Sequence, residues 1–121
     1  MGKNTEKKRY CMVLEIKEEF VEQYKDLHVN AWLEMLKAEK ECGFQEELIW
    51  LYKNMAIIYM ECDDIDKVYA RASKISVEQK WDKTVSYWLK QLSPLEEKSG
   101  IPVCIKIFDL NQQLNGKLDQ Y

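Results

Sequence analysis

Four short stretches of this chain are dense in apolar residues, and two longer ones repeat their apolar residues at helical spacing. Residues 9–16 (RYCMVLEI), 44–52 (FQEELIWLY), 55–62 (MAIIYMEC) and 102–110 (PVCIKIFDL) carry the β-branched and aromatic residues that suit strands. Residues 17–42 show a period near 3.6 that stops at Gly43, a residue free to take the left-handed conformation that ends helices. Residues 65–92 show the same period. Asp63-Asp64 offers caps ahead of them, and Ser76 is placed to cap a second piece after an interruption near Ile75. Lys53-Asn54 separates the two middle strands by two residues and predicts a tight hairpin. A loop containing Ser93-Pro94 and Ser99-Gly100 precedes the last strand, and the polar residues 111–121 are expected to pack loosely.

The resulting order, β-α-β-β-α-β, is the ferredoxin-like plan of the α+β class: a four-stranded antiparallel sheet with helices on one face. That arrangement leaves the other sheet face apolar and bare. A chain this short covers such a face most readily with a second copy of itself, so a homodimer is expected. The 121 residues fit one domain, 1–121, preceded by a flexible polar tail over residues 1–8. No internal repeat or low-complexity segment divides it.

Composition narrows the function classes. With 46% hydrophobic and 32% charged residues, and no apolar run of the roughly 20 residues that a bilayer requires, the chain reads as a soluble globular protein without a membrane span. Its formal net charge of −3, with Lys and Arg scattered among acids, argues against nucleic acid as a partner. The start lacks the apolar core of a secretory signal, and Glu6 stands where a myristoylation pattern after Gly2 requires Ser or Thr. Cys11, Cys42, Cys62 and Cys104 form no CxxC pair and have only one histidine to join them, which speaks against a structural metal. Reduced thiols in a cytoplasmic setting fit this pattern.

The candidate chemistry lies in residues 22–33. His28, the one histidine of the chain, has Tyr24 four residues before it and Trp32 four after, so a continuous helix would place all three on one stripe. The plainer reading is a core-facing helix stripe that happens to carry a histidine. The chemical reading is a sugar site, in which a ring stacks on the C–H face of a polyol while an imidazole moves a proton to or from a hydroxyl.

The run Tyr24-Lys-Asp-Leu-His28-Val-Asn-Ala-Trp32 followed by Glu34, together with Val77-Glu-Gln-Lys-Trp81, resembles the L-rhamnose mutarotase family over residues 8–110. The resemblance implies a dimeric α+β barrel, no cofactor, and a monosaccharide substrate. It also implies that the chain is an enzyme, an aldose 1-epimerase interconverting the α and β anomers of L-rhamnose or a similar deoxysugar. His28 would take the proton-donor role, and Tyr24 and Trp81 would contact the sugar. Asp82 stands where typical members carry a second Trp, and Glu47 where a Tyr is typical.

Anomer exchange needs one acid and one base, and a histidine near neutral pH can be either. The second group is Tyr24, Glu47 or Asp82, between which the sequence does not choose; Glu47 and Asp82 read equally as solvated surface acids, and Trp81 equally as core. Trp50 and Trp88 belong to no motif and read as packing residues. Two rival classes remain. One is a sugar-binding module of the same fold without turnover, distinguished by sugar binding that leaves the exchange rate unchanged. The other is a haem-binding α+β barrel with His28 as axial ligand, distinguished by a Soret shift on adding haemin.

Overall fold

A computed structural model describes residues 8–96 and 100–118 of the chain. The residues ahead of Lys8, the position of Ser99 and the last three residues lie outside the described set. Lys8 itself, expected in the tail, opens the first strand.

Three strands, β1 (Lys8–Glu15), β2 (Glu46–Tyr52) and β3 (Met55–Cys62), form an antiparallel sheet in the order β1-β3-β2. The register follows from the alternation in the sequence. Met12 pairs with Ile58 and Ile49 pairs with Ile58 from the other side, so the buried residues of each strand share one face. The predicted hairpin is present, with Tyr52 opposite Met55 and Lys53 in the left-handed region at φ 55°. Its turn also fastens β1: the Ile16 N–H donates to the Asn54 carbonyl at 2.7 Å, and the Asn54 side-chain amide donates to the Ile16 carbonyl at 3.0 Å.

Helices cover the inner face. The single helix expected over residues 17–42 is broken into a short 3₁₀ turn (Glu18–Phe20), α1 (Val21–Val29) and α2 (Leu33–Cys42). The break falls at Asn30, whose φ and ψ of −123° and 57° are not helical, and Trp32 is extended at the head of α2. Gly43 ends α2 as anticipated, at φ 116°. A Cβ there would strain the backbone and come within 3.0 Å of Arg71 Nη1, which donates to the Cys42 carbonyl. The second helical region forms α3 (Ile65–Ala72) and α4 (Ser76–Ser86). Asp64 caps α3 by accepting from the Asp66 and Lys67 N–H groups, but Ile75, not Ser76, occupies the cap position of α4 and no side chain caps it.

The core is a single cluster between sheet and helices. Met12, Leu14, Ile16, Ala56, Ile58, Met60 and Cys62 from the inner sheet face meet Tyr24, Phe44, Ile65, Val68, Ala72, Val85 and Leu89. Trp88 packs against this cluster, whereas Trp50 lies on the outer sheet face and is 57% exposed. Val13, Leu48 and Tyr52 share that outer face and are also exposed.

The fourth strand does not form, and the sheet has three strands where four were expected. The segment after residue 101 reaches the free edge of β1, where Val103 bridges Met12 and the Cys104 N–H donates to the Cys11 carbonyl at 2.6 Å. Beyond that point it leaves the sheet. Ile105 and Ile107 are 88% and 90% exposed, because among the described residues no layer lies where their side chains would pack. The rest of that β1 edge is used at its end by Leu89, which bridges Ile16. Residues 111–121, expected to be loose, mostly form a last helix, α5 (Leu110–Leu118), without a buried residue; Asp109 accepts from the Gln112 N–H at its start.

Among the described residues no helix is long and apolar enough to cross a membrane.

Candidate functional site

The inner face is not filled at the β2 side. There, a cavity of about 320 Å³ opens between α1, α2, α4 and β2, at the lower end of the ~300–1,000 Å³ usual for small-molecule sites. Tyr24 and His28 line it from α1, Met35 and Glu39 from α2, Glu47, Ile49 and Leu51 from β2, and Trp81 from α4. A narrower crevice of about 70 Å³ shares the Tyr24, His28, Glu39, Glu47 and Trp81 walls and runs inward to Tyr69, Glu78 and Asp82.

Helical spacing makes the aromatic wall. Tyr24 and His28, one turn apart, stack with ring centroids 4.1 Å apart. Trp81 presents its ring edgewise to His28 at 5.1 Å and to Trp32 at 5.1 Å. Trp32 is therefore joined to the site by way of Trp81, not by the continuous stripe that a single long helix would have given. Its other contact is the Lys80 ammonium, 5.4 Å from the ring centre.

The protonation of His28 follows from its partner. Nδ1 lies 2.7 Å from the Tyr24 carbonyl, which only accepts, so the ring holds its proton on Nδ1 and presents Nε2 as an acceptor. Burial pushes the imidazole below its ordinary value, an effect the Tyr24 carbonyl partly offsets. At neutral pH the group is a base. Tyr24 beneath it is held in the phenol form, its acidity suppressed by burial and by Glu47.

Three carboxyl groups adjoin this wall, Glu39 and Glu47 on the main cavity and Glu78 on the inner crevice. Glu47 points inward from β2, in register with Met60, and its charge acts on Glu39 of α2, as does that of Glu78 of α4. Glu78 is only 4% exposed, and its Oε2 has no hydrogen-bond partner. Burial raises all three above the ordinary carboxylate range; repulsion from Glu47 and Glu78 adds to the rise of Glu39, whereas Glu39 partly offsets the rise of Glu47 and Glu78. Even so, among the described residues no three His, Cys, Asp or Glu side chains are disposed to hold a metal ion.

Of the six residues singled out from the sequence, His28, Tyr24, Trp81 and Glu47 line the main cavity. Asp82 lies only on the inner crevice, where the Ser93 hydroxyl donates to its Oδ2 at 2.8 Å, and burial raises its carboxyl. Sequence reasoning missed Glu39 and Glu78. A signal was available: Glu39 falls between the buried Met35, Ala38 and Cys42 at helical spacing, and Glu78 shares a stripe with Trp81, Asp82 and Val85. Acids on such stripes face inward.

Among solved structures, the L-rhamnose mutarotase of Formosa agariphila matches with a TM-score of 0.64 and 16% identity, over 84% of this chain and 97% of that one. Tetracenomycin F2 cyclase, a type-II polyketide cyclase from Streptomyces glaucescens, matches with a TM-score of 0.62 and 15% identity, over 84% of this chain and 95% of that one. Both are likenesses of fold. No curated protein matches the chain. The sequence model of the L-rhamnose mutarotase family matches residues 9–110, nearly the whole described fold and every residue that lines the cavity, and the chain belongs to that family.

Proposed function

We propose that this protein is an aldose 1-epimerase that interconverts the anomers of L-rhamnose or a similar deoxysugar, with His28 in the catalytic role and no cofactor. The observation that carries the reading is the state of His28. Its Nδ1 is committed to the Tyr24 carbonyl, so Nε2 is the atom available to a ligand in the cavity, and the ring is neutral. Family membership supports a rhamnose-like sugar as the substrate. Ring opening requires removal of the proton from the anomeric hydroxyl, and a neutral imidazole at the cavity wall suits that step. His28, to which the resemblance assigns the proton-donor role, would in its neutral form first take a proton in the opening direction and act as donor as the ring recloses. Trp81 offers the sugar an apolar wall, with Tyr24 fixing the imidazole; Trp32 supports Trp81, and Asp82 holds the turn at Ser93.

Exchange NMR on L-rhamnose, with native protein, His28→Ala and buffer, tests this. Native protein should accelerate α/β interconversion, and His28→Ala should lower the acceleration by about 10²–10⁴-fold. Sugar binding by calorimetry without any acceleration would replace the reading with that of a binding module. Absence of both would remove the sugar.

The second copy expected from the sequence belongs to the same proposal. Trp50 and Tyr52 on the outer face, and Ile105 and Ile107 on the extended segment, present apolar surface that the described residues of one chain leave uncovered. A homodimer joined through these surfaces would cover it.

A further inference from the structure

Two of the four cysteines meet away from the sugar cavity, on the outer side of the sheet. Met12 of β1 bridges Val103 in antiparallel sense, so the next residue along each segment, Cys11 and Cys104, stand directly opposite each other. The Cys104 N–H donates to the Cys11 carbonyl at 2.6 Å. From this placement we infer that Cys11 and Cys104 form a reversible oxidation site, converted by a peroxide into a disulfide within one chain that tethers the C-terminal segment to the edge of β1. The inference stands independently of the epimerase reading.

Backbone pairing sets the separation of the two side chains. Opposite residues of a hydrogen-bonded antiparallel pair have Cα atoms about 5.5 Å apart, well inside the ~4.4–6.8 Å that a disulfide spans. Opposite residues also send their side chains to the same face. For Cys11 that face is the outer one, because its neighbour Met12 is buried inward and its partner on β3 is Tyr59. Cys42 and Cys62 are 1% and 0% exposed within the inner core, where an oxidant in solvent does not reach them.

The two thiols have unequal parts. Cys104 is exposed and Cys11 half-buried, and burial together with the neighbouring Cys104 sulfur pushes the Cys11 thiol up. Cys104 therefore meets the oxidant and Cys11 resolves the product. The Cys104 sulfur attacks hydrogen peroxide, the O–O bond breaks, and a sulfenic acid and one water result. The Cys11 sulfur then attacks the Cys104 sulfur; the S–S bond forms, the S–O bond breaks, and the hydroxyl leaves with the Cys11 proton as a second water. Two thiols lose two electrons and one peroxide gains them. A small dithiol reverses the reaction by exchange.

The position of the bridge gives it a consequence. Cys104 is the last residue bonded to β1 before the segment leaves the sheet; beyond it Ile105 and Ile107 are exposed and α5 buries nothing. A covalent link at this root suppresses the local opening that a few edge hydrogen bonds permit.

The test is peroxide treatment of native protein, Cys11→Ser and Cys104→Ser, followed by thiol counting in denaturant, non-reducing peptide mapping and brief trypsin digestion. In native protein the count should fall from four thiols to two, with the Cys11 peptide joined to the Cys104 peptide at single-chain mass, and dithiothreitol should restore four. Cys11→Ser should form no bridge and leave a sulfenic acid on Cys104 that dimedone traps. Cleavage after the exposed Lys106 should be slower in oxidised than in reduced native protein and indifferent to peroxide in Cys104→Ser. Four thiols retained, a bridge that joins two chains or includes Cys42 or Cys62, or oxidation of Cys104 that never reaches Cys11 overturns the inference. Equal cleavage of oxidised and reduced native protein overturns the tether. The native peptide map decides the bridge by itself, so a serine variant that fails to fold does not shield it.

Discussion

The two faces of one sheet differ in what the chain provides to cover them. On β3 the residues alternate strictly, with Ala56, Ile58, Met60 and Cys62 buried and Met55, Ile57, Tyr59 and Glu61 only partly so. Both faces are largely apolar, yet the inner one meets α2, α3 and α4 while on the outer one Val13, Leu48, Trp50 and Tyr52 stay exposed among the described residues. The inner face is in turn divided. Along β1 and β3 it is buried, with only a narrow crevice reaching Met12, Leu14 and Ile58, and along β2 it opens into the cavity that His28 and Glu47 both line. One strand register therefore creates core, site and exposed surface together, and a one-residue slip of β2 would remove Glu47 from the site and expose it.

The largest effect should come from the buried part. Met60 is fully buried at the centre of β3, and Met60→Ala should cost about 2–5 kcal/mol by urea denaturation, since the cavity left behind is lined by atoms of the sheet and α3 that cannot close on it. A cost under about 1 kcal/mol would mean that the core is looser than its burial implies. At the rim of the same layer, Asp64→Ala should cost about 1 kcal/mol, because two α3 N–H groups lose their acceptor. An unchanged melting curve for that variant would show α3 to be held by packing alone.

The cavity part of the inner face should respond to pH instead. Glu39, Glu47 and Glu78 hold protons more tightly in the folded chain than in the unfolded one, where Glu titrates near 4.3. Their contribution is thus fully present below that value and is lost as pH rises toward the folded values. His28 works the other way: its folded value is depressed, so protonation favours unfolding and its contribution is complete only above about 6.5. Glu78→Gln should accordingly gain stability relative to native protein at pH 8 compared with pH 5. Equal differences at the two pH values would show that the three carboxyl groups are not coupled to folding.

Legibility in the sequence tracked how local the cause was. The Lys53-Asn54 hairpin, the Gly43 stop and the Asp64 cap each depend on a few neighbouring residues, and each is present. The pair Tyr24 and His28 needed only one helical turn. The break at Asn30 was invisible because residues 21–29 and 33–42 each keep a helical period, so that the join carries no Gly or Pro to mark it. The missing fourth strand is a different kind of failure. Residues 102–110 read as a strand because their composition suits one, but a strand also needs a layer to pack on, and sequence pattern is silent about which molecule provides it. Glu39 and Glu78 were hidden by the habit of reading helix acids as solvated, which the stripes through Met35, Cys42, Trp81 and Val85 contradict.

The smallest effect on a single chain should come from the outer face, and it separates the two faces most sharply. Trp50 is as large as any core residue, but at 57% exposure it has little to lose on truncation, so Trp50→Ala should change the stability of the dilute chain by no more than about 0.5 kcal/mol. If two copies pair through this face, the native melting temperature must rise with protein concentration, as mass action requires of any association that favours the folded state. Trp50→Ala should flatten that rise while leaving the low-concentration value in place. Sedimentation of the two proteins across the same concentrations ties the thermal effect to assembly. A native melting temperature independent of concentration, with a single-chain mass throughout, would leave the outer face as bare surface and remove the homodimer from the proposed function.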